Sequence, residues 1–419
     1  MQGGRRAQRI GNRIPDLLPY FRAERSAPPF HDRPVPFSIL QLMRRIFVLL
    51  GALLFTLVAA FVLFFLWASS GRIPAEAEQQ VKTYSVRPAA SAETLTVTTY
   101  NIGYLSGMTN NRPVNPPASL FRENMDRAAS LLRTIDPDVI GFQEIDYGAS
   151  RSDNVHQLDT LAVRLGYPTA AQATNWDERY VPFPNWPPAV HFGRIHSGQA
   201  VLSRFSVAAH HRIALVRPPR SFFSDAFYLD RLAQVAVLEV GGRPLVVVNV
   251  HLEAFDGETR QQQARQVRAL TEAYLKTGAP LVLLGDFNSV FSGTLASLPS
   301  EARARFRDDT TMDRVQVDGL APGFPADPPP GERVPGTYPA DAPSRKIDHV
   351  LYTTDWMTPT GRSVHCGPAS HPPADHCAVS LTAVVSPPDD AASGDALFAR
   401  LPSGAEVRRA VAEVLPEQR

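Results

Sequence analysis

The sequence predicts a mixed α/β domain preceded by a single N-terminal transmembrane helix. Two observations support this fold class: residues 46–68 form an apolar run without a charged side chain, and strand and helix patterns alternate from Leu95 onward. Residues 95–100 are rich in β-branched side chains, whereas residues 120–135 carry apolar side chains at helical spacing. With 44% apolar and 20% charged residues, the chain has the composition of a folded globular protein.

The apolar run is long enough to cross a bilayer. Its 23 residues would extend about 35 Å as a helix, against a hydrocarbon core of about 30 Å. Arg44 and Arg45 precede the run, and Trp67 lies near its end. Because basic residues flank the cytoplasmic end of such helices, the rest of the chain is predicted to lie on the periplasmic or extracellular side of the cell membrane. A retained anchor is favoured over a cleaved signal peptide, whose apolar region is roughly 7–15 residues long.

The remaining chain divides by composition. The Arg- and Pro-rich residues 1–45 are expected to have no fixed structure, and Met43 is a candidate for the true translation start. Residues 69–93 are predicted to be a linker and residues 94–385 the α/β domain. Residues 386–419 are predicted to be a tail with one short helix.

Three features leave alternatives open. The Pro-rich residues 174–194 and 318–344 are expected to be exposed loops. The first of these holds two Trp, and it fits a packed loop as well as a substrate-recognition lip. Cys366 and Cys377 are the only cysteines, and they fit either a disulfide in an oxidising compartment or two small buried thiols.

Polar side chains follow predicted strands at six places. A single Asp or His at such a position is more often a cap or a turn residue, but ligand sites in α/β sheets are built where strands end. Six such ends, all bearing carboxylates, carboxamides or imidazoles, favour a site. They are Asn101, Glu144, His251, Asp286 with Asn288, Asp348, and Asp375 with His376.

These side chains match the needs of phosphate ester hydrolysis. Glu144 and Asp375 offer the hard oxygen ligands that suit Mg²⁺ or Mn²⁺, and Asn101 offers a neutral oxygen. Asp286 can orient or deprotonate a water molecule, and Asn288 can donate to an oxyanion.

The histidines would complete this chemistry. His251 and His376 can donate to phosphate oxygens or carry a proton, and Asp348 could hold one imidazole in the required tautomer. Other hydrolase signatures, such as G-x-S-x-G and H-E-x-x-H, are absent from the sequence. A formal net charge of +1 does not favour binding of the whole protein to nucleic acid. A nearly neutral chain can nevertheless carry a local basic patch.

Seven short motifs resemble the endonuclease/exonuclease/phosphatase superfamily. They occur in the order that is typical of that superfamily: TYNIGY, GFQEID, SGQAVLSRF, VVNVHLEAF, LLGDFNSV, RKIDHVLY and PADHCAV. The resemblance covers roughly residues 94–385. It implies a four-layered sandwich of two packed mixed β-sheets flanked by helices, with the site at one edge of the sandwich.

The resemblance also implies roles for individual residues. Glu144 would be the principal metal ligand, helped by Asn101 and Asp375. Asp286 and Asn288 would position the nucleophilic water and the phosphate.

The remaining matches concern the histidines and the substrate. His376 would pair with Asp348, and His251 corresponds to the histidine of an N-x-H-L motif. Arg231 is a candidate phosphate contact. His196 lies just upstream of Gly198, where some nucleases of the superfamily carry a carboxylate, and it is a second candidate substrate contact.

The predicted protein is therefore a membrane-anchored phosphoesterase that depends on Mg²⁺ or Mn²⁺ and is assumed to be monomeric. Its predicted substrate is a phosphodiester, with a lipid or small organic phosphodiester favoured over nucleic acid. The alternatives are a nuclease of the same superfamily and a non-catalytic binding module on the same scaffold.

Overall fold

The computed structural model describes residues 37–85, 93–329 and 331–414. Its contacts divide the chain into two units, residues 1–62 and residues 63–419. Thirteen strands, numbered in chain order, lie in the described residues: β1 (Gln79–Thr83), β2 (Thr94–Asn101), β3 (Val139–Asp146), β4 (Thr169–Pro184), β5 (His191–Ser203), β6 (Ser206–Ala214), β7 (Leu232–Val240), β8 (Arg243–His251), β9 (Leu281–Asp286), β10 (Leu320–Pro322), β11 (Asp348–Thr353), β12 (Met357–His365) and β13 (Ala378–Val385).

The strands form two mixed sheets. The seven-stranded sheet has the order β1-β4-β5-β3-β2-β13-β12, and the six-stranded sheet has the order β10-β11-β9-β8-β7-β6. The α-helices of the described residues are α1 (Phe37–Ala68), α2 (Ala118–Ile135), α3 (Gln157–Leu165), α4 (Phe222–Asp225), α5 (Gly257–Leu275), α6 (Ser300–Phe306), α7 (Thr311–Val315), α8 (Gly394–Arg400) and α9 (Gly404–Glu413).

Three apolar clusters define the layers. One lies between the sheets and includes Val97 and Val201 from the seven-stranded sheet and Val247 and Leu284 from the six-stranded sheet. A second packs α2 and α3 on the outer face of the seven-stranded sheet. The third packs α5, α7 and α9 on the outer face of the six-stranded sheet. The predicted four-layered sandwich of two mixed sheets flanked by helices is thereby confirmed.

The N-terminal helix is longer than predicted. Helix α1 begins at Phe37, so residues 37–45 are helical rather than unstructured. Leu, Met, Gln and Arg occupy this stretch, and all of them have high helix propensity. Residues 38–68 are long and apolar enough to cross a membrane, by length and composition. Residues 1–36, which were predicted to be unstructured, lie outside the described residues.

Two segments predicted to lie outside the domain are part of it. Residues 79–83 of the predicted linker form β1, which pairs antiparallel with β4 at the edge of the seven-stranded sheet. Residues 86–92 of that linker lie outside the described residues. The tail forms α8 and α9, and buried apolar side chains on its helices, among them Val407 and Val411, join the domain core.

The proline-rich residues 174–194 are mostly strand rather than loop. They extend β4 and β5 into a long hairpin, with register shifts after Thr174, Glu178 and Val181. Prolines are tolerated there because bulged strand segments leave backbone N–H groups out of the ladder. Cys366 and Cys377 form a disulfide, which settles the alternative that the sequence left open.

The topology brings the polar strand ends to one edge. In the seven-stranded sheet β2 and β3 are parallel, with Asn101 opposite Gln143. In the six-stranded sheet β8 and β9 are parallel, with His251 opposite Asp286. Strands β11 and β13 run antiparallel to β9 and β2, so the residues at and before their beginnings meet the carboxyl ends of the parallel strands.

A buried amide network ties the two sheets together near this edge. Asn249 of β8 donates to the carbonyl oxygens of Phe142 and Ala200 and to the side chain of Gln234. Gln143 of β3 donates to Asn249 Oδ1 at 2.6 Å. A buried amide that lacks a hydrogen-bond partner destabilises the folded state. This network therefore fixes the alignment of the two sheets and the positions of the residues at their shared edge.

Candidate active site

The polar edge opens into a pocket of about 370 Å³. Seven of the ten predicted site residues line it: Glu144, Arg231, His251, Asp286, Asn288, Asp375 and His376. Asn101 and Asp348 lie behind the pocket wall and are completely buried, each bonded to lining residues. His196 is not among the lining residues.

Asp348, His376 and Asp286 form a chain of polar contacts. His376 Nδ1 lies 3.0 Å from Asp348 Oδ2, which fixes the orientation of the ring. His376 Nε2 then faces Asp286, at 3.8 Å from Oδ2. The ligand atoms of the three side chains lie within 4.8 Å of one another, so this buried cluster could also hold a metal ion.

The buried carboxylates and the imidazole perturb one another's protonation. Burial raises the pKa of Asp286 to about 7, although His376 opposes this shift. Burial lowers the pKa of His376, but the nearby Asp348 and Asp286 outweigh it and raise that pKa well above its usual value. Since His376 must donate Nδ1–H to the Asp348 carboxylate, the second nitrogen, Nε2, is the one that can act on a substrate.

Glu144 and Asp375 form a second acidic pair beside this chain. Asn110 Nδ2 bridges them, at 3.2 Å from Glu144 Oε2 and 3.1 Å from Asp375 Oδ2. Burial raises the pKa of Asp375 to about 6, His376 opposes the shift, and the charge of Glu144 adds to it. Asp375 Oδ1 is buried and has no hydrogen-bond partner.

The backbone turns Glu144 into the pocket. The pairing of β3 with β5 shifts register between Phe142 and Ile145, and Glu144 has φ 50°. A left-handed conformation in a non-glycine residue costs free energy and is concentrated at functional sites. At Gly103, with φ 46°, an added Cβ would lie 2.6 Å from Asp375 Oδ1, so glycine is required for the carboxylate to sit there.

Asn101 and Asn288 hold the acidic side chains in position through hydrogen bonds. Asn101 Nδ2 donates to Asp286 Oδ2 at 3.0 Å and to Glu144 Oε1 at 3.3 Å, while its oxygen accepts from Gly103 N. Asn101 thus links the two acidic groups. Asn288 also has a left-handed backbone, and its N–H donates to Asp286 Oδ1 at 2.9 Å.

His251 is held by an arginine. Arg231 Nη1 lies 2.8 Å from His251 Nε2, and its Nε contacts Glu253. Burial, together with the charge of Arg231, lowers the pKa of His251 well below its usual value. His251 Nε2 lies 3.5 Å from Asp286 Oδ2. Arg231, predicted as a phosphate contact, lines the pocket but is already engaged with His251 and Glu253.

His196 lies outside the pocket lining. Side chains alternate between the faces of a strand, and the neighbouring Ser197 is the one that lines the pocket. His196 Nε2 lies 3.2 Å from Thr174 Oγ1, and its ring packs against Tyr147.

The comparison with family models agrees with this geometry. Residues 98–376, more than half of the chain, match the model of the Endonuclease/Exonuclease/phosphatase family. The chain belongs to this family. Among proteins with curated functions, none matches the chain in sequence.

The comparison with solved structures also finds similar chains. An endonuclease/exonuclease/phosphatase from Beutenbergia cavernae is 20% identical, with a TM-score of 0.50, and the match covers 73% of this chain and 76% of that one. The human Nocturnin catalytic domain with bound sulfate is 17% identical over 75% of this chain and 100% of its own, with a TM-score of 0.46. Truncated Caenorhabditis elegans TDP2 is 15% identical over 70% of this chain and 98% of its own, with a TM-score of 0.46.

The motifs shared with the endonuclease/exonuclease/phosphatase family miss several pocket residues. Asn110 lies in a turn nine residues past β2, where two adjacent asparagines are the only signal. Tyr338 packs against His376 with the two rings tilted, their centroids 4.7 Å apart. Arg305 and Arg345 line the pocket, and no carboxylate of the described residues forms an ion pair with them.

Arg151 and the apolar pocket wall were also missed. The Arg151 guanidinium is paired with Asp146 at 2.8 Å and lies 3.9 Å from the centre of the Tyr104 ring. The wall beyond it consists of aromatic side chains: Trp176, Phe183, Phe192, Phe227, Phe255 and Phe306. The pocket therefore joins an acidic end to a large apolar wall.

Proposed function

We propose that the protein is a divalent-metal-dependent phosphodiesterase anchored in the membrane through α1. The observation that carries this proposal is the meeting of two acidic groups in one pocket. One is the Asp348–His376–Asp286 chain, and the other is the Glu144–Asp375 pair that Asn110 bridges. Burial of each carboxylate costs free energy. A non-catalytic binding module would gain nothing to offset that cost for several carboxylates in one pocket.

The Glu144–Asp375 pair is the better candidate for the metal. Both are hard oxygen ligands of the kind that Mg²⁺ or Mn²⁺ prefers, and Asp375 Oδ1 is buried without a partner. Asp348 and His376 in the other cluster already satisfy each other. A bound cation would supply positive charge that stabilises the developing charge on a phosphate.

The other side chains would orient the reactants. Asp286 would position the attacking water, since its carboxylate is fixed by Asn101 and by the N–H of Asn288. His376, held by Asp348, would donate from Nε2 to a phosphate oxygen. Arg305 and Arg345 at the pocket wall would contact the phosphate, because neither is neutralised by a described carboxylate.

The pocket wall favours an apolar substituent on the substrate. The six aromatic side chains of the wall would bury an acyl or aryl group next to the acidic end. A lipid or small organic phosphodiester fits this surface better than nucleic acid, which is bound along extended basic grooves.

The first experiment measures hydrolysis by the full-length protein in detergent micelles. With Mg²⁺ or Mn²⁺ we expect turnover of bis(4-nitrophenyl) phosphate that EDTA abolishes and added metal restores. Absence of turnover with Mg²⁺, Mn²⁺ and Ca²⁺ would remove the enzymatic proposal. A panel of phospholipids, small phosphodiesters and single- and double-stranded DNA then separates the substrate classes, and preference for DNA would favour the nuclease alternative.

A further inference from the structure

Four exposed aromatic side chains line the pocket or lie a few residues from its lining residues. We call Trp186, Phe222, Phe223 and Phe255 the aromatic rim. Their exposed fractions are 79%, 72%, 56% and 79%, respectively. Exposed apolar groups of this size at one place mark an interaction surface rather than ordinary solvent-facing surface.

The rim is continuous with the pocket wall. Phe255 belongs to both, because it lines the pocket as well as being exposed. Phe222 and Phe223 begin α4, and Phe227, just after this helix, lines the pocket. Trp186 lies at the tip of the β4–β5 hairpin, two residues after the lining residue Pro184.

The last turn of α1 touches the same surface. Within the unit of residues 63–419, the Phe65 ring lies 5.5 Å from Phe222, 5.3 Å from Phe223 and 5.6 Å from Phe227. Phe64 packs against Tyr180 of the hairpin at 6.0 Å. A single contact between two rings therefore connects the end of this helix to the pocket wall.

The chain that follows α1 is fastened to the same hairpin. Asp177 Oδ2 accepts hydrogen bonds from the backbone N–H groups of Arg72 and Ile73. Arg179 N donates to Ser70 O at 3.2 Å. These bonds hold residues 70–73 against β4.

These contacts determine the depth of the rim if α1 spans a bilayer. Phe65 lies three residues before Ala68, the last residue of α1, which is about 4.5 Å along the helix axis. The rings that contact Phe65 must lie at that same depth, close to the end of the membrane-spanning segment. The exposed Arg220 lies two residues before Phe222, and the exposed Arg179 adjoins Tyr180, which contacts Phe64; both could meet lipid phosphates.

We propose that the aromatic rim docks into the lipid interface beside α1, so that the pocket takes a phosphodiester from the bilayer surface. This inference rests on the membrane anchoring proposed above and names the source of the substrate. Aromatic rings are suited to the membrane–water interface because they are apolar and yet tolerate polar neighbours.

A spin-label experiment tests the docking without relying on catalysis. Both native cysteines are in the disulfide, so Phe222→Cys can be labelled selectively with a nitroxide. The matched control is Val163→Cys, which places the label at a 70% exposed position of α3, a helix that contributes nothing to the pocket. The full-length proteins are placed in nanodiscs of phosphatidylcholine and phosphatidylglycerol.

We expect the label at residue 222 to be more accessible to oxygen than to a water-soluble nickel complex, and the label at residue 163 to show the reverse. If both labels prefer the nickel complex, the docking proposal is wrong. That outcome leaves the proposed hydrolysis intact, because turnover of bis(4-nitrophenyl) phosphate is measured separately.

A double variant tests the consequence for turnover. Phe222→Ser with Phe223→Ser should reduce hydrolysis of a phospholipid in the same nanodisc by about tenfold, since the rim would lose its apolar contact with the lipid. Hydrolysis of soluble bis(4-nitrophenyl) phosphate should be unchanged, as in Val163→Ser. An equal loss on both substrates would contradict the proposal.

Discussion

Asp286 is held by two hydrogen bonds and lies near two imidazoles, and burial raises its pKa to about 7. Asn101, Asn288, His251 and His376 all approach its two oxygens. A carboxylate that only stabilised the fold would be paired directly with a buried cation. Asp286 instead accepts hydrogen bonds from Asn101 Nδ2 and from the N–H of Asn288 on the wall of a pocket, as a water-positioning group would.

Asp286→Asn should lower turnover by about 10²- to 10⁴-fold, the usual contribution of a general acid or base. Its thermal midpoint should stay the same or rise, because burial of the native carboxylate is unfavourable. Turnover of bis(4-nitrophenyl) phosphate and a thermal melt measure the two effects. Asp318→Asn, at an exposed position, is the control, and a large fall in the midpoint of Asp286→Asn would indicate a structural role instead.

Asn110→Ala should raise the Mg²⁺ concentration needed for half-maximal turnover by about 10- to 100-fold, as is typical for residues that orient metal ligands. Without the bridging amide, Glu144 and Asp375 repel each other and lose their relative position. Turnover at saturating Mg²⁺ should recover in large part. A variant with an unchanged Mg²⁺ requirement would argue against a metal at this pair.

Single residues could be predicted where a motif or a strand end marks them. Glu144 and Asp286 lie at the ends of apolar strands and His376 lies just before one, so the sequence indicates both their position and their chemistry. Asn110 follows no strand, and its role depends on a loop folding back over Glu144 and Asp375. His196 lies outside the pocket lining, whereas its neighbour Ser197 is part of it, and the sequence does not indicate which of two adjacent side chains in the bulged hairpin lines the pocket.

At the scale of elements, β1 and the β4–β5 hairpin were harder to predict than the core strands. Strands such as β8 and β9 are buried on both faces and therefore consist of apolar runs. The sequence of β1, QQVKT, is mostly polar because β1 is an edge strand with one half-buried face. It pairs with β4, which is distant in the chain, and no local sequence pattern predicts this pairing.

His210 of β6 should make stability depend on pH. Burial, with a smaller effect from His211, lowers the pKa of His210 to about 3. As the pH falls below about 6.5, His210 takes up a proton in the unfolded chain but remains neutral in the folded chain. The free energy of unfolding therefore decreases as the pH falls from about 6.5 toward 3. This one group would contribute a slope of about 1.4 kcal/mol per pH unit within that window.

His210→Gln should flatten this part of the stability curve, measured by urea unfolding of the full-length protein in micelles between pH 7 and pH 4 (roughly the window of the lowered pKa). His371→Gln, at an exposed position, should leave the curve as it is. Equal slopes for native protein and His210→Gln would show that His210 does not contribute.

At the scale of the whole molecule, the four layers were predictable and the domain limits were not. The order of the seven motifs specifies the sandwich, whereas β1, α8 and α9 lie outside the motifs and join the domain through contacts distant in sequence. A compact core is encoded by many apolar runs, but the segments that close its edges are encoded by a few side chains each.

A protein that lacks residues 1–93 should therefore be less stable than one that lacks residues 1–69. The shorter protein loses β1 and exposes the backbone edge of β4, which can pair with another chain. It also loses the contacts of Lys82 and Tyr84 with Asp159. We expect a lower thermal midpoint and aggregates in size-exclusion chromatography, and identical behaviour of the two proteins would contradict the role given to β1.

The disulfide between Cys366 and Cys377 makes the order of the candidate site depend on whether the surroundings are oxidising or reducing. It closes a short loop that contains Asp375 and His376, so its reduction would free the segment that carries the proposed metal ligand and the imidazole. In a reducing cytosol the newly made chain would keep two thiols and a loosely held site. If the domain is exported as the sequence predicts, oxidation would order this segment only after the chain has crossed the membrane.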